Sequence, residues 1–355
     1  MSGQAGGQSP LAGLTVLLDG LRDRVVGATS SLFSHGPYPL ARTLDYAPDP
    51  GLFGPESMTW PVVGDTAVFV GGIRALLVQA AHPEVAAGVA EHSRYREDPL
   101  GRLTRTAAYV TATSFGAMPE VEHAVAVVRR RHRPVRGTSD RGQAYDASDP
   151  ALSAWVHNSL TDSFLTAYRV YGAHACSVAD ADRFVAEQVR VGELLGADPL
   201  PSTAADLAAW VSDHPALAPS PGAAEAIRFL RRPPLAPPVR AAYGLLFRAA
   251  VATLPESIKQ IVGVRSRPAD LHVGRAAVST LRVFLGSSPD WRLALVRVGA
   301  PQPPGAKFRQ PLPVSATGGS TSSGGSTSSG GSASGGGSPG AGAADGGTSG
   351  ERTPH

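Results

Sequence analysis

Apolar residues recur at helical spacing along most of the chain, and strand-like alternation with turn dipeptides is nearly absent. Capping residues and glycines mark where several of the helices begin and end. Three segments each start at a capping side chain and stop at a glycine: Asp98 to Gly116, Asp149 to Gly172 and Ser177 to Gly196. These signals predict helices over about 99–115, 150–171 and 178–195.

Five further stretches have the same helical period. One starts near Pro119 and runs into an arginine-rich segment, and the others cover about 61–81, 202–213, 238–253 and 268–285. Period and chain length together predict an all-α fold, organised as a single multi-helix domain with little or no sheet.

The two ends of the chain differ from the rest in composition. Residues 1–10 are mostly small or polar, and residues 311–355 are dominated by glycine and serine. Such segments bury too little apolar surface to offset the entropy lost on ordering. We therefore predict a flexible start over 1–10, a helical domain over 11–310 and a disordered low-complexity tail over 311–355.

Charge and cysteine content exclude several classes of protein. The net charge of +3 comes from arginines scattered among alanines, so we expect no nucleic-acid partner. Cys176 is the only cysteine, which excludes an intrachain disulfide. The apolar run TAVFVGGIRALLVQAA is interrupted by Arg74, and the N-terminal apolar patch lacks preceding basic residues. We expect no transmembrane segment, no signal peptide and a cytoplasmic location.

One segment, RRRHRPVRG at 129–137, places a single histidine among five arginines. His132 follows three valines at helical spacing: Val121, Val125 and Val128. The imidazole therefore continues an apolar stripe, and we predict that it faces the core. The spacing leaves open whether the ring binds a ligand or is satisfied by a backbone carbonyl.

Arg129 and Arg136 stand three residues before and four residues after His132, so on a continuous helix they flank the same face. A buried imidazole between two guanidiniums suits a ligand that joins a metal to anionic groups. Haem is such a ligand, because its iron takes an imidazole and its propionates pair with arginine.

A second constellation lies in the segment DPLGRLTRTAAYV. Arg102, Arg105 and Thr106 share one helix face at i, i+3 and i+4, and Tyr109 extends that face. Two cations beside a hydroxyl can orient a bound oxygen or an anionic substrate. The alternative is an amphipathic helix whose basic side is solvated.

Two other histidines lie in apolar surroundings. His82 precedes Pro83, and His157 shares a helix face with Leu160 and Phe164. Either ring can be structural, can support a ligating residue or can itself be an axial ligand. The histidines are far apart and lack His-x-x-x-His or Glu-x-x-His spacing, which argues against a zinc or di-iron site.

Five segments occur in a characteristic order: GGIRALLVQAAHPEVAAGVAEHS, DPLGRLTRTAAYV, VVRRRHRPVRG, YDASDPALSAWVHNSL and VGELLG. This order resembles the family that contains the fungal oxygenase MpaB and the catalytic domain of rubber oxygenases (latex clearing proteins). The resemblance is strong over about residues 55 to 200 and weaker toward 300. It implies a globin-like helical core around one haem b, and dioxygen-dependent cleavage of a carbon–carbon double bond in isoprenoid-like substrates.

The resemblance also implies roles for individual residues. The family's axial histidine, the iron ligand, corresponds to His132, and its R-x-x-[K/R]-T motif corresponds to Arg102 through Thr106. Rubber oxygenases carry lysine at the position of Arg105, so a lysine distal ligand and rubber as a substrate are not implied here. Pro134 is also unusual and should kink the helix. We expect catalytic roles for Arg102, Arg105 and Thr106, and cofactor contacts from His132, Arg129, Arg136, His157 and Ser159.

Two functions of different classes follow from these observations. The first is a haem-dependent oxygenase whose partners are dioxygen and a hydrophobic small molecule. The second is a non-catalytic haem- or lipid-binding module, or a sensor, on the same fold. A third possibility, a non-haem metal hydrolase, has no ligand spacing to support it.

Overall fold

In the computed structural model of the chain, nearly all regular structure is helical. The structure describes four ranges of residues, 10–33, 35–93, 96–303 and 310–314. For residues 10–18 the description is limited to the backbone. The predicted flexible start, up to residue 9, and the glycine- and serine-rich tail from residue 315 lie outside the described residues.

Fourteen α-helices occur in these ranges, numbered in chain order: α1 (Pro10–Phe33), α2 (Thr59–Gly64), α3 (Val68–Gln79), α4 (Pro83–His92), α5 (Pro99–Phe115), α6 (Met118–His132), α7 (Pro150–Tyr171), α8 (Val178–Leu195), α9 (Ala204–Ser212), α10 (Pro221–Arg231), α11 (Pro237–Ala252), α12 (Glu256–Ile261), α13 (Asp270–Leu285) and α14 (Pro289–Arg297). A 3₁₀ helix spans Thr43–Tyr46. Two short antiparallel strands, β1 (Arg136–Thr138) and β2 (Ala144–Asp146), form a hairpin between α6 and α7. The prediction of an all-α fold is confirmed.

Three helices begin at the capping residues identified in the sequence. Each capping side chain accepts hydrogen bonds from N–H groups of the first turn: Asp98 for α5, Asp149 for α7 and Ser177 for α8. All three helices have the predicted bounds, and α8 ends at Gly196, whose φ of 71° is the left-handed conformation that favours glycine. Local signals therefore determine the helices that form the candidate site.

The stretch 61–81, predicted as one helix, is two helices with a break between Gly64 and Val68. At the break, Asp65 Oδ1 accepts a hydrogen bond from the backbone N–H of Ala67 at 2.7 Å. Both carboxylate oxygens also pair with Arg282, at 2.7 Å and 3.2 Å. The helix stops because the Asp65 side chain is bonded to the backbone beyond it and to a distant helix.

The packing of α3 against α7 forms the centre of the core. Gly71 allows this close approach, because a Cβ there would lie 2.7 Å from the ring of Phe164. Arg74, which interrupts the apolar run of α3, is buried and pairs with Asp162 of α7 at 2.6 Å. Helices α11 and α13 pack on one another, and α11 also contacts α3. No helix of the described part of the chain is long and apolar enough to cross a bilayer.

Candidate functional site

One face of α5 runs from the protein surface into the interior. Arg102, Thr106, Tyr109 and Thr113 lie at i, i+4, i+7 and i+11, which places them within about 60° around the helix axis. Thr106 is exposed, Arg102 and Tyr109 are half-buried, and Thr113 is buried. The R-x-x-R-T motif therefore occupies the outer part of a face whose inner part belongs to the core.

An inner cavity of about 20 Å³, room for about one water molecule, lies against the buried part of this face, between α5, α7 and α8. Its apolar walls are formed by Val63, Val110, Leu160, Phe164 and Val191. The polar residues in its walls are Tyr109, Thr113, Ser114, His157, Thr161 and Gln188. Polar and apolar residues thus contribute to the walls in similar numbers, and the space is far smaller than a typical site for a small organic ligand.

The hydroxyls in the inner cavity differ in their hydrogen bonding. Thr113 Oγ1 donates to the carbonyl of Tyr109 at 2.9 Å, and Thr161 Oγ1 donates to the carbonyl of His157 at 3.0 Å. The Tyr109 hydroxyl is buried and has no hydrogen-bond partner among the described residues. Burial raises the pKa of Tyr109, so the phenol stays protonated. It is a donor without an acceptor.

His157 lies in the middle of α7 and is 6% exposed. Its Nε2 is 2.9 Å from the carbonyl oxygen of Gln188 on α8. Since a carbonyl only accepts, Nε2 carries the proton and Nδ1 carries the lone pair. Burial lowers the pKa of His157 to about 4, so the ring is neutral at neutral pH. Gly192 makes room for this contact, because a Cβ there would lie 3.0 Å from His157 Cδ2.

His132 is the last residue of α6 and is half-buried. The apolar stripe that precedes it becomes less buried along the helix, from the buried Val121 and Val125 to the half-buried Val128. In the described part of the chain, the ring forms no hydrogen bond or ion pair with another residue. Burial lowers its pKa. The structure therefore presents His132 as a neutral, partly accessible imidazole.

Helices α5 and α6 are packed against each other and joined by Gly116 and Ala117. At 1.5 Å per residue, Arg102 and His132 each lie about 20 Å along their helices from this connection. The predicted axial histidine and the outer part of the α5 face are thus both remote from the connection, near the free end of the helix pair.

The charged and hydroxyl groups at this end have partners within the protein. Arg105 is exposed and forms an ion pair with Asp98, with 3.2 Å between Nη1 and Oδ2. Thr106 Oγ1 donates to the carbonyl of Arg102 at 3.1 Å. Arg129 is exposed on the last turn of α6. A ligand that used the hydroxyl of Thr106 or the guanidinium of Arg105 would therefore replace an existing contact.

The prediction that Arg136 shares a helix face with His132 is wrong. The helix ends at His132, two residues before Pro134, which lacks the N–H needed to continue it. The predicted kink at Pro134 is wrong for the same reason, because α6 ends before Pro134 and does not bend there. Arg136 instead begins β1, where its Nε pairs with Asp146 of β2 at 2.9 Å.

Ser159 and His82 lie outside the walls of the inner cavity. Ser159 is buried, and its Oγ donates to the carbonyl of Trp155 on its own helix at 2.6 Å. His82 packs against Trp155 and His214, with ring centroids 5.6 Å and 5.5 Å apart. Its Nδ1 is 3.3 Å from Glu84 without the geometry of a hydrogen bond, and burial lowers its pKa to about 4. These two residues are bound into the core.

The structure thus brings His157 and Tyr109 together in the inner cavity and leaves Arg102, Thr106 and His132 nearer the surface. The sequence reading did not identify Thr113 or Gln188 as parts of this cavity. The signal for Thr113 was present, because it continues the spacing of the α5 face. Gln188 had no such signal, because it holds His157 through its main-chain carbonyl, a group that every residue carries.

The residues at the free end of the helix pair fit a haem. Iron in a haem takes one or two side-chain ligands, and His132 offers a half-buried imidazole with no described partner. The arginine-rich last turn of α6 supplies cations for propionates. No group of three or more His, Cys, Asp or Glu that could hold a metal ion occurs among the described residues.

Comparison with known proteins identifies a family. A family model described as ER-bound oxygenase mpaB/B′/rubber oxygenase, catalytic domain, matches residues 60–283. This range is more than half of the chain and includes α5 to α8, so the resemblance based on the five segments is confirmed. No curated protein and no solved structure matches the chain.

Proposed function

The chain belongs to the family of mpaB and rubber oxygenase catalytic domains, and on this premise we propose that it is a haem b-dependent oxygenase of a hydrophobic, isoprenoid-like molecule. The family is one of oxygenases, which supports an oxidoreductase in general. One observation carries the finer proposal. A single face of α5 joins the R-x-x-R-T motif to a buried space lined by polar and apolar residues, and both the motif and His132 are remote from the connection between α5 and α6.

In this proposal His132 would hold the haem iron, because it is a half-buried imidazole that has no partner in the described structure. Arg129, one turn earlier on α6, is the first candidate for a propionate contact. Arg136 is a second candidate, from the hairpin rather than from the helix. A bound haem would supply the iron centre at which dioxygen reacts.

The α5 face has two roles in the proposal. At its outer end, Arg102 and Thr106 present a guanidinium and a hydroxyl that can stabilise negative charge developing on oxygen. Arg105 adds positive charge nearby while it is held by Asp98. At the inner end, the face continues into apolar side chains such as Val110, and we propose that the hydrocarbon part of the substrate approaches the site from this apolar side.

His157 and Ser159 support this site rather than contact the cofactor directly. The bond from His157 to the Gln188 carbonyl ties α7 to α8 behind the cavity. Ser159 is bonded within α7. Their contribution is to hold the cavity walls in place.

A non-catalytic haem- or lipid-binding module is the competing function. The observation that favours it is the ion pair between Arg105 and Asp98, which occupies the side chain at the position where rubber oxygenases carry lysine. Such a module would bind the same ligands without turnover.

Absorption spectroscopy and oxygen uptake separate these functions. The protein is purified, reconstituted with haemin and mixed with isoprenoid alkenes such as squalene under reducing conditions. An oxygenase shows a Soret band, consumes oxygen and forms carbonyl products. A binding module shows the Soret band without substrate-dependent oxygen uptake. A protein that takes up no haemin contradicts the oxygenase and the haem-binding module and leaves only the lipid-binding module.

A further inference from the structure

The arginines at the end of α6 outnumber the roles that the proposed function gives them. Residues 129–136 include five arginines and no Asp or Glu. Arg129 is a candidate for a propionate contact, and Arg136 pairs with Asp146. The other three are exposed, and their side chains form no ion pair or hydrogen bond in the part of the chain that the structure describes: Arg130, Arg131 and Arg133.

Helix stability does not account for these three arginines. A cation near the C-terminal end of a helix interacts favourably with the helix dipole, but the effect of each exposed charge is small. Arg133 lies four residues after Arg129 and three after Arg130, at spacings where like charges repel each other. Each further arginine therefore adds repulsion to a helix end that is already positive. An anionic partner placed against this helix end would relieve the repulsion.

The three arginines point away from His132. At about 100° per residue, they span about 160° around the helix axis, and His132 lies opposite the middle of that arc. Arg133 continues this geometry beyond the last residue of α6, because its φ of −49° and ψ of −43° are helical. An arc this wide presents separated charges to an extended surface and does not converge on one small anion. The imidazole side of the helix end stays available for the proposed iron ligand.

The start of α5 adds an apolar side chain to the same free end of the helix pair. Leu103 is 36% exposed and lies about 20 Å along α5 from the connection to α6. Segments that lie on a membrane surface combine exposed arginines with apolar side chains that enter the headgroup region. Distributed negative charge above an apolar layer is the chemistry of an anionic lipid bilayer, and it complements both features.

We propose that Arg130, Arg131, Arg133 and Leu103 form a surface that binds an anionic lipid membrane. The guanidiniums pair with phosphate and carboxylate groups of the lipids, and the leucine side chain enters the headgroup region. A membrane also dissolves isoprenoid-like hydrocarbons, so docking brings the protein to its substrate. This last link rests on the proposed function, whereas the docking itself does not.

Vesicle binding tests this surface. The full-length protein is mixed with vesicles of phosphatidylcholine alone or with about a quarter phosphatidylserine, and the bound fraction is measured by sedimentation. We expect binding to the anionic vesicles that weakens as salt is added, and much weaker binding to the neutral vesicles. Replacing Arg130, Arg131 and Arg133 together by glutamine should lower the affinity by about fivefold for each arginine, on the order of a hundredfold in all. Leu103→Ala should lower it by about threefold, because less apolar surface enters the bilayer.

The matched control removes three arginines elsewhere. Arg228, Arg232 and Arg240 are exposed and lie in or beside α10 and α11, so their triple glutamine variant has the same net charge as the α6 variant. This control should bind anionic vesicles nearly as the unmodified protein does. The α6 variant should keep or raise the melting temperature, because it relieves repulsion at the helix end.

Four results would overturn the surface. They are an unmodified protein without preference for anionic vesicles, an α6 variant with full affinity, equal losses in the α6 and control variants, and a melting temperature that falls in the α6 variant. The first would leave an acidic protein as the partner, the third would reflect net charge alone, and the fourth would assign the arginines to helix stability. Full affinity in Leu103→Ala would contradict the apolar contact. Failure of the proposed oxygenase function would appear instead as missing haem uptake or oxygen consumption, and would leave vesicle binding unaffected.

Discussion

His132 and His157 lie on apolar stripes of α6 and α7, yet they differ in burial, in hydrogen bonding and in their position along the helix. His157 sits in the middle of α7, is 6% exposed and gives its N–H to the Gln188 carbonyl. His132 ends α6, is half-buried and has no described partner. The middle of a packed helix satisfies and fixes a histidine, whereas the end of a helix leaves its ring available.

The comparison also separates the two ends of the candidate site. The free end of the α5–α6 pair carries the cations and the available imidazole. The inner cavity carries neutral groups and apolar walls. In the proposed function, the cofactor lies at the free end and the substrate extends toward the inner end, so each part can be tested separately.

The largest expected effect is the loss of haem from His132→Ala. We expect haem content to fall by at least about tenfold, because the variant removes the proposed iron ligand. His157→Ala should retain haem, since its ring is held by a main-chain carbonyl. Haem per protein is measured by the pyridine haemochrome assay.

His123→Ala is the control for this experiment, since His123 is exposed on the same helix. The comparison between the two histidines is reversed if His132→Ala keeps full haem occupancy while His157→Ala loses it. In that case the iron ligand lies in the inner cavity.

The second expected effect is on turnover. Thr106→Val preserves the shape of the side chain and removes its hydroxyl, which is exposed at the outer end of the α5 face. Loss of one positioned donor lowers turnover by about a hundredfold, or about 3 kcal/mol. We expect normal haem content and melting temperature, with substrate-dependent oxygen uptake reduced by about that factor.

Thr111→Val provides the matched control, because Thr111 lies about 140° away from Thr106 around α5. Equal turnover in Thr106→Val and Thr111→Val would show that the outer face is a solvated helix surface. The chemistry would then have no contribution from the R-x-x-R-T motif.

The third expected effect is on stability. His157→Leu removes the hydrogen bond to Gln188, leaves a buried carbonyl unpaired and alters the shape of a packed position. We expect the free energy of unfolding to fall by about 2–4 kcal/mol, measured by urea denaturation. The same change at the exposed His123 should alter it by less than about 0.5 kcal/mol. Equal losses at the two positions would mean that His157 is not fixed as the structure shows.

Local patterns were sufficient to predict much of the fold but less of the site. The caps Asp98, Asp149 and Ser177 are single-residue signals, and the helices they start have the predicted bounds. The break at Asp65 depends on Arg282, which is 217 residues away in sequence. No local pattern contains such a pairing, so a sequence reading joins α2 and α3 into one helix.

The same distinction applies to the site. The outer face of α5 follows from spacing, and the stripe leading to His132 follows from the valines before it. The state of His157 depends on a carbonyl of α8, 31 residues later, and a carbonyl has no sequence signature. The prediction for Arg136 failed because it assumed that α6 continues past His132. Residues at helical spacing share a face only while the helix continues, and Arg136 lies beyond its end.

The smallest expected effect, and the one that probes the comparison most directly, is the pH dependence of stability. The pKa of His157 falls from 6.5 in the unfolded chain to about 4 in the folded protein, because burial disfavours the charged ring. The unfolded state therefore holds more protons between these values, so the free energy of unfolding decreases as pH falls through this window. The contribution of His157 is fully present above pH 6.5 and reaches about 3 kcal/mol at most. His82 has a similar pKa and adds to the same slope.

Urea denaturation between pH 7 and pH 4.5 should thus show a steep loss of stability that is clearly smaller in His157→Leu. His132→Leu should flatten the slope less, because its ring is only half-buried and solvent stabilises its charged form. Equal flattening by the two variants would mean that their environments do not differ as the structure shows, and the assignment of ligand and support roles would lose its physical basis.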